Sequence, residues 1–78
     1  MMVVRILVHG HVAEFFPGGQ HEHRLSLSEP MSVTRVIESL GVNPKLIMKV
    51  FLNGKPASKE DLVHDSDELL LIAPASGG

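Results

Sequence analysis

Gly77 and Gly78 follow an apolar run at residues 69–73 and then Pro74, Ala75 and Ser76. They offer a free carboxylate on backbone with no side chain in the way. Such an arm threads a channel too narrow for any Cβ and takes φ values closed to other residues. Pro74 stiffens its base through a fixed φ, and Ala75 and Ser76 keep it slim. A merely frayed, glycine-rich terminus is the plain alternative, so the meaning of the pair depends on what precedes it.

The other reactive side chains point to less. There is no cysteine, hence no disulfide and no thiol nucleophile; any sulfur chemistry needs an outside source. His9 and His11, and His21 and His23, each stand two apart, on one face of a regular strand. A four-nitrogen zinc site would need both pairs on the same side of a hairpin. Strand parity sends them to opposite faces unless a bulge at Gly10 intervenes, so solvated strand-end histidines are the simpler reading and no metal site is expected. Glu60, Asp61, Asp65, Asp67 and Glu68 form an acidic run without a nucleophile or pocket-forming loop beside it. They read as turn formers, with Asp65 and Asp67 suited to Asx turns. Lys45, Lys49, Lys55 and Lys59 read as surface charges, any of which can accept a conjugate.

Seventy-eight residues, 44% hydrophobic and 21% charged, make one small globular domain. Net charge is −2 and only three aromatic residues are present. No basic patch or stacking surface recommends nucleic acid as a partner. The first residues read as a strand rather than a signal peptide or membrane span, which makes the cytoplasm the default location. Without nucleophile elbow, phosphate loop or room for a pocket, an intrinsic enzyme is not expected.

The elements that must present the carboxylate are legible from period and punctuation. Val4, Ile6 and Val8 alternate as a strand, and Pro17-Gly18-Gly19 marks a turn. Leu25 and Leu27 belong to a second strand antiparallel to the first. Val33, Val36, Ile37 and Leu40 fall on one helical face, with Ser32 as N-cap and Gly41 just past the end. Residues 47–52 predict a third strand, Asn53-Gly54 a type I′ turn, residues 55–56 a short edge strand, and residues 59–67 a polar, turn-rich stretch. Residues 69–73 predict a strand covered on both faces or nearly so. The predicted inward set is Val4, Ile6, Val8, Leu25, Leu27, Val33, Val36, Ile37, Leu40, Met48, Val50, Leu52, Leu69 and Leu71. This order suits an α+β, ubiquitin-like β-grasp: a mixed four- to five-stranded sheet with one main helix packed on one face. The expected division is a β-grasp domain over 1–74 and a flexible Gly-Gly tail over 75–78. Phe51, Leu70 and Ile72 have the wrong parity for the helix side. With Leu7 they make a candidate apolar patch for a partner.

These elements carry a family pattern. Asn53-Gly54, Asp61-Leu62, Asp65-Ser66-Asp67-Glu68-Leu69 and the ending Ile72-Ala73-Pro74-Ala75-Ser76-Gly77-Gly78 resemble the second half of the MoaD/ThiS sulfur carriers. Val12-Ala13-Glu14-Phe15-Phe16-Pro17-Gly18-Gly19 resembles the segment after that family's first strand. Pro74 and Ser76 make the ending more like the molybdopterin synthase small subunit than the thiamine carrier. Three features depart from the pattern: Ser66 stands for a turn glycine, Ala73 for a proline, and Val12-Ala13 for Leu-Arg. The change at Ala13 bears on which partner binds.

The resemblance implies a carrier rather than a catalyst. A ubiquitin-activating-type enzyme would adenylate the Gly78 carboxylate with ATP, and a sulfur donor would convert the acyl-adenylate to a thiocarboxylate for molybdopterin-type cofactor synthesis. A carboxylate is a poor electrophile until it carries a good leaving group, so the partner brings ATP and the carrier brings the arm. No intrinsic cofactor is implied, and a larger synthase subunit is a further expected partner. Gly77 would thread the channel, and Phe51, Leu70, Ile72, Pro74 and Ser76 would meet the partner. The same residues suit a protein modifier joined to lysines through Gly78. They also suit a carrier for thiamine or cysteine synthesis, or a β-grasp interaction module with an idle tail.

Overall fold

The computed structural model describes residues 2–73. The chain runs β1 (Met2–His9), β2 (Glu22–Leu27), β3 (Met31–Ser32), α1 (Val33–Ser39), β4 (Lys49–Leu52), β5 (Lys55–Ala57), β6 (Leu62–Val63) and β7 (Glu68–Ile72). Five strands form one sheet in the order β2-β1-β7-β4-β5. β1 and β7 are parallel; the other pairings are antiparallel. The sheet is mixed, two hairpins flank the last strand, and α1 crosses between them as the β-grasp expectation requires.

Each boundary has a local cause. The Ser32 hydroxyl accepts a hydrogen bond from the Arg35 N–H at 3.2 Å and caps α1. At the other end the Gly41 N–H donates to Glu38 O at 2.9 Å and Val42 N–H to Ile37 O at 3.3 Å, the paired bonds of a Schellman ending. Asn53 and Gly54 have φ of 53° and 82°, so both central residues of the β4–β5 turn are left-handed, as a type I′ turn demands.

The core lies between the sheet and α1. Ile6, Ile37, Ile47, Leu69 and Leu71 are its largest fully buried side chains, each stabilising the fold by roughly 1.5–3 kcal/mol relative to exposure. Among the described residues no charged or polar residue is buried and no buried side-chain nitrogen or oxygen lacks a partner.

Several expectations change in detail. The segment after β1 is not a bare turn: two 3₁₀ turns, His11–Phe15 and Pro17–Gly19, tuck Val12, Ala13 and Phe16 into the core. Residues 59–67 contain β6, which pairs with β3 as a second small sheet. The third large strand starts at Lys49, after a 3₁₀ turn at Pro44–Leu46. That turn breaks the alternation, so Ile47 is buried and Met48, expected inside, is 68% exposed. β7 is covered on one face only: Leu69 and Leu71 are buried, while Leu70 and Ile72 are half-buried.

Candidate functional site

The sheet face turned away from α1 is the surface on which the sequence-derived contact residues meet. Strand register places Leu7 opposite Leu70, Leu70 opposite Phe51, and Phe51 opposite Pro56. The result is one apolar row across β1, β7, β4 and β5. Cross-strand neighbours of this kind are the packing unit of a sheet face. Leu7, Phe51 and Leu70 are half-buried.

Those flanking rows differ in charge chemistry. On one side Arg5 stands opposite Glu68. Its guanidinium donates to Glu22 at 2.8 Å and to Glu68 at 3.2 Å. The Glu22 hydrogen bond and charge, with help from Glu68, hold Arg5 above the usual arginine range. On the other side His9, Ile72 and Lys49 face one another across β1, β7 and β4. Among the described residues neither the His9 nor the Lys49 side chain has a hydrogen-bonding or ionic partner.

Phe51, Leu70 and Ile72 therefore share the outward face, with Ile72 one row along from the other two. The chain leaves β7 at this same end. Met48 N–H donates to Ile72 O at 3.0 Å, and Ala73 lies beside Gly10, packed partly against the core. Pro74, Ser76, Gly77 and Gly78 lie outside the described residues.

The remaining reactive groups have structural work. His21 Nδ1–H donates to Val8 O at 2.9 Å, and His23 bonds Gln20 O at 2.8 Å while its ring packs on Phe16. Among the described residues no three His, Cys, Asp or Glu side chains gather as a metal site. The acidic run does form turns, but its aspartates accept from earlier backbone N–H groups rather than from later ones as in Asx turns. Asp67 accepts from His64 N–H at 2.7 Å, Asp65 from Val3 N–H at 3.1 Å, and Asp61 from Ser58 N–H at 2.9 Å. Among the described residues no helix is long and apolar enough to cross a membrane.

The model of the ThiS family matches residues 6–78. Among solved structures, the fold is similar to SAMP1 from Haloferax volcanii, with 22% identity over 97% of this chain and 99% of that one, at a TM-score of 0.74. It is also similar to a putative molybdopterin converting factor subunit 1 from Pyrococcus furiosus, with 17% identity, 95% and 99% coverage and a TM-score of 0.71. Urm1 from Trypanosoma brucei aligns with 17% identity, 97% and 95% coverage and a TM-score of 0.74. At such identities these likenesses establish the fold. No curated protein sequence matches. On a family pattern that extends over nearly the whole sequence, carried by a five-stranded β-grasp, the chain belongs to the ThiS family, ubiquitin-like sulfur carriers or modifiers of the ThiS/MoaD type that are generally non-catalytic and work with an activating enzyme and a partner subunit.

Proposed function

We propose that this protein is a sulfur carrier whose Gly78 carboxylate is adenylated and then converted to a thiocarboxylate, supplying sulfur for molybdopterin-type (molybdenum or tungsten) cofactor synthesis. The observation that carries the reading is the family match running through residue 78, which takes in the Gly77-Gly78 pair. In the first step a carboxylate oxygen attacks the α-phosphorus of ATP and pyrophosphate leaves. In the second, a sulfur donor displaces AMP from the acyl carbon. Both steps belong to cytoplasmic partners, and the chain needs no cofactor of its own. Its part in this reading is a β-grasp domain over 1–74 that presents the Gly-Gly tail over 75–78. Ordering that arm costs roughly 1–2 kcal/mol per residue. Contacts at Phe51, Leu70, Ile72, Pro74 and Ser76 offset that cost by docking the domain on its activating enzyme, and Gly77 passes the narrowest part of the channel.

Intact mass of the native protein, with its C-terminus untagged, tests this. Incubation with the host's adenylating enzyme, ATP and a sulfur donor should replace one oxygen of Gly78 by sulfur. An unchanged mass under those conditions would falsify the carrier reading. Appending one residue after Gly78 should abolish the conversion; if function survives, the chain is an interaction module.

A second reading is favoured by one observation: the structural relatives include small archaeal modifier protein 1 of Haloferax volcanii. In that reading the same activated Gly78 forms an isopeptide bond with lysines of other proteins. Gly78-linked lysine peptides in digests of cell extract distinguish it from sulfur transfer alone.

A further inference from the structure

All four lysines of the chain fall between residues 45 and 59, and no Asp or Glu lies between Glu38 and Glu60. A protein of net charge −2 thus keeps a purely cationic segment. The fold gathers that segment at one corner of the sheet. Lys59 Nζ donates to Pro44 O at 2.7 Å, pinning the segment after β5 to the turn that carries Lys45. A shallow groove runs from Lys49, Met48 and Phe51 past Pro56 to Ser58 and Lys59. Its Ser58 end also holds two carboxylates, Asp61 on the Ser58 N–H at 2.9 Å and Glu60 on its hydroxyl at 3.4 Å, so the cationic end is the one at Lys49. Phe51 is also a member of the apolar row Leu7–Leu70–Phe51, so the groove continues the outward sheet face.

The charges at the two ends of that face are treated differently. Arg5, at one end, is paired with Glu22 and Glu68 and stands opposite Arg24, so two cations and two carboxylates balance there. Lys49, at the end where the chain leaves β7, has no ionic partner among the described residues, and beside it Met48 is 68% exposed. An unpaired ammonium next to an exposed apolar side chain is the complement of a carboxylate flanked by apolar residues. Nucleic acid fits this corner poorly: the groove has one aromatic ring, half-buried Phe51, and the molecule as a whole is anionic.

We propose that the Lys49–Met48 end of this groove receives an acidic, apolar-flanked segment of the activating partner, which steers that enzyme toward the end of the sheet from which the arm departs. This rests on the docking reading of the sheet face given above. Rim charges act chiefly on the association rate and its salt dependence, and steering of this kind raises on-rates by roughly 10- to 1,000-fold.

The test is stopped-flow association of the full-length chain with the host's adenylating enzyme over a series of NaCl concentrations. Lys49→Glu should slow association roughly tenfold at low salt and flatten the salt dependence, and Lys49→Gln should fall between it and the unaltered protein. Arg35→Glu, the same charge change on the exposed face of α1, should leave the rate within about twofold. Thermal melts of each variant confirm that it is folded. Leu70→Asp, in the apolar row, separates the two ideas. If Leu70→Asp abolishes binding while Lys49→Glu behaves like Arg35→Glu, the face docks but the groove does not steer, and the proposal falls alone. If Leu70→Asp, shown folded, binds normally, the docking reading falls and the proposal with it.

Discussion

Asn53 and Asp67 grip each other across two turns. Asn53 Nδ2 donates to Asp67 Oδ1 at 2.9 Å, and Asn53 Oδ1 accepts from the Glu68 N–H at 2.9 Å. With Asn53 N–H donating to Glu68 O at 2.8 Å, the β4–β5 turn is bolted to the first residue of the central strand. Asp67 also holds the His64 N–H. Asp67→Ala strips two donors of their acceptor and should destabilise the fold by about 1–3 kcal/mol. A lowered urea midpoint with an unchanged m-value checks it.

Ser66 has φ of 67°, a conformation that costs a residue with a Cβ roughly 1–2 kcal/mol. The turn is held there because Ser66 N–H donates to Val3 O at 2.9 Å. Ser66→Gly relieves the strain but adds freedom to the unfolded chain, which returns part of the gain. The net expectation is a stabilisation of up to about 1 kcal/mol, read as a rise in Tm. A fall in Tm would mean that the serine side chain contributes more than its strained backbone costs.

Leu69 and Leu70 are adjacent in sequence and opposite in duty. Leu69 is fully buried against α1, so Leu69→Ala should cost about 2–5 kcal/mol. Leu70 lies on the outward row, and Leu70→Ala should cost much less stability but weaken capture by the activating enzyme. Paired unfolding and binding measurements on the two variants check this. Equal stability losses would remove Leu70 from the candidate contact surface.

The Ser32 cap supports a helix of only seven residues. Ser32→Ala removes the acceptor for Arg35 N–H and should cost about 1 kcal/mol, with Ser32→Asp restoring most of it. Helical circular dichroism during thermal unfolding reports both.

Much of this was legible in the sequence where a period or a stop signal repeats itself. The alternation of Val4, Ile6 and Val8, the helical face of α1 with Ser32 and Gly41 at its ends, and Asn53-Gly54 each announce one element. Strand parity alone was enough to put Phe51, Leu70 and Ile72 on one face with Leu7. What escaped was structure too short to show a period. β3 and β6 are two residues each, and the 3₁₀ turns after β1 and before β4 leave no alternation to follow. One such turn inverts the reading of Ile47 and Met48. Register was equally hidden, since the meeting of Leu7, Leu70 and Phe51 depends on how three strands slide past one another. The clustering of lysines was visible all along, but only the Lys59–Pro44 bond folds it into a corner of the sheet.

The place of β7 in the middle of the sheet has a consequence for assembly of the fold. β1 and β2 form one hairpin and β4 and β5 another, and only residues 68–72 join them. Without those residues the sheet's hydrogen bonding falls into two two-stranded ribbons, a form that is marginal alone in water. Residues 68–72 therefore decide whether the two hairpins join into one sheet. One short strand is thus the keystone of the sheet, and without it the facing edges of β1 and β4 stand open to pairing with other chains.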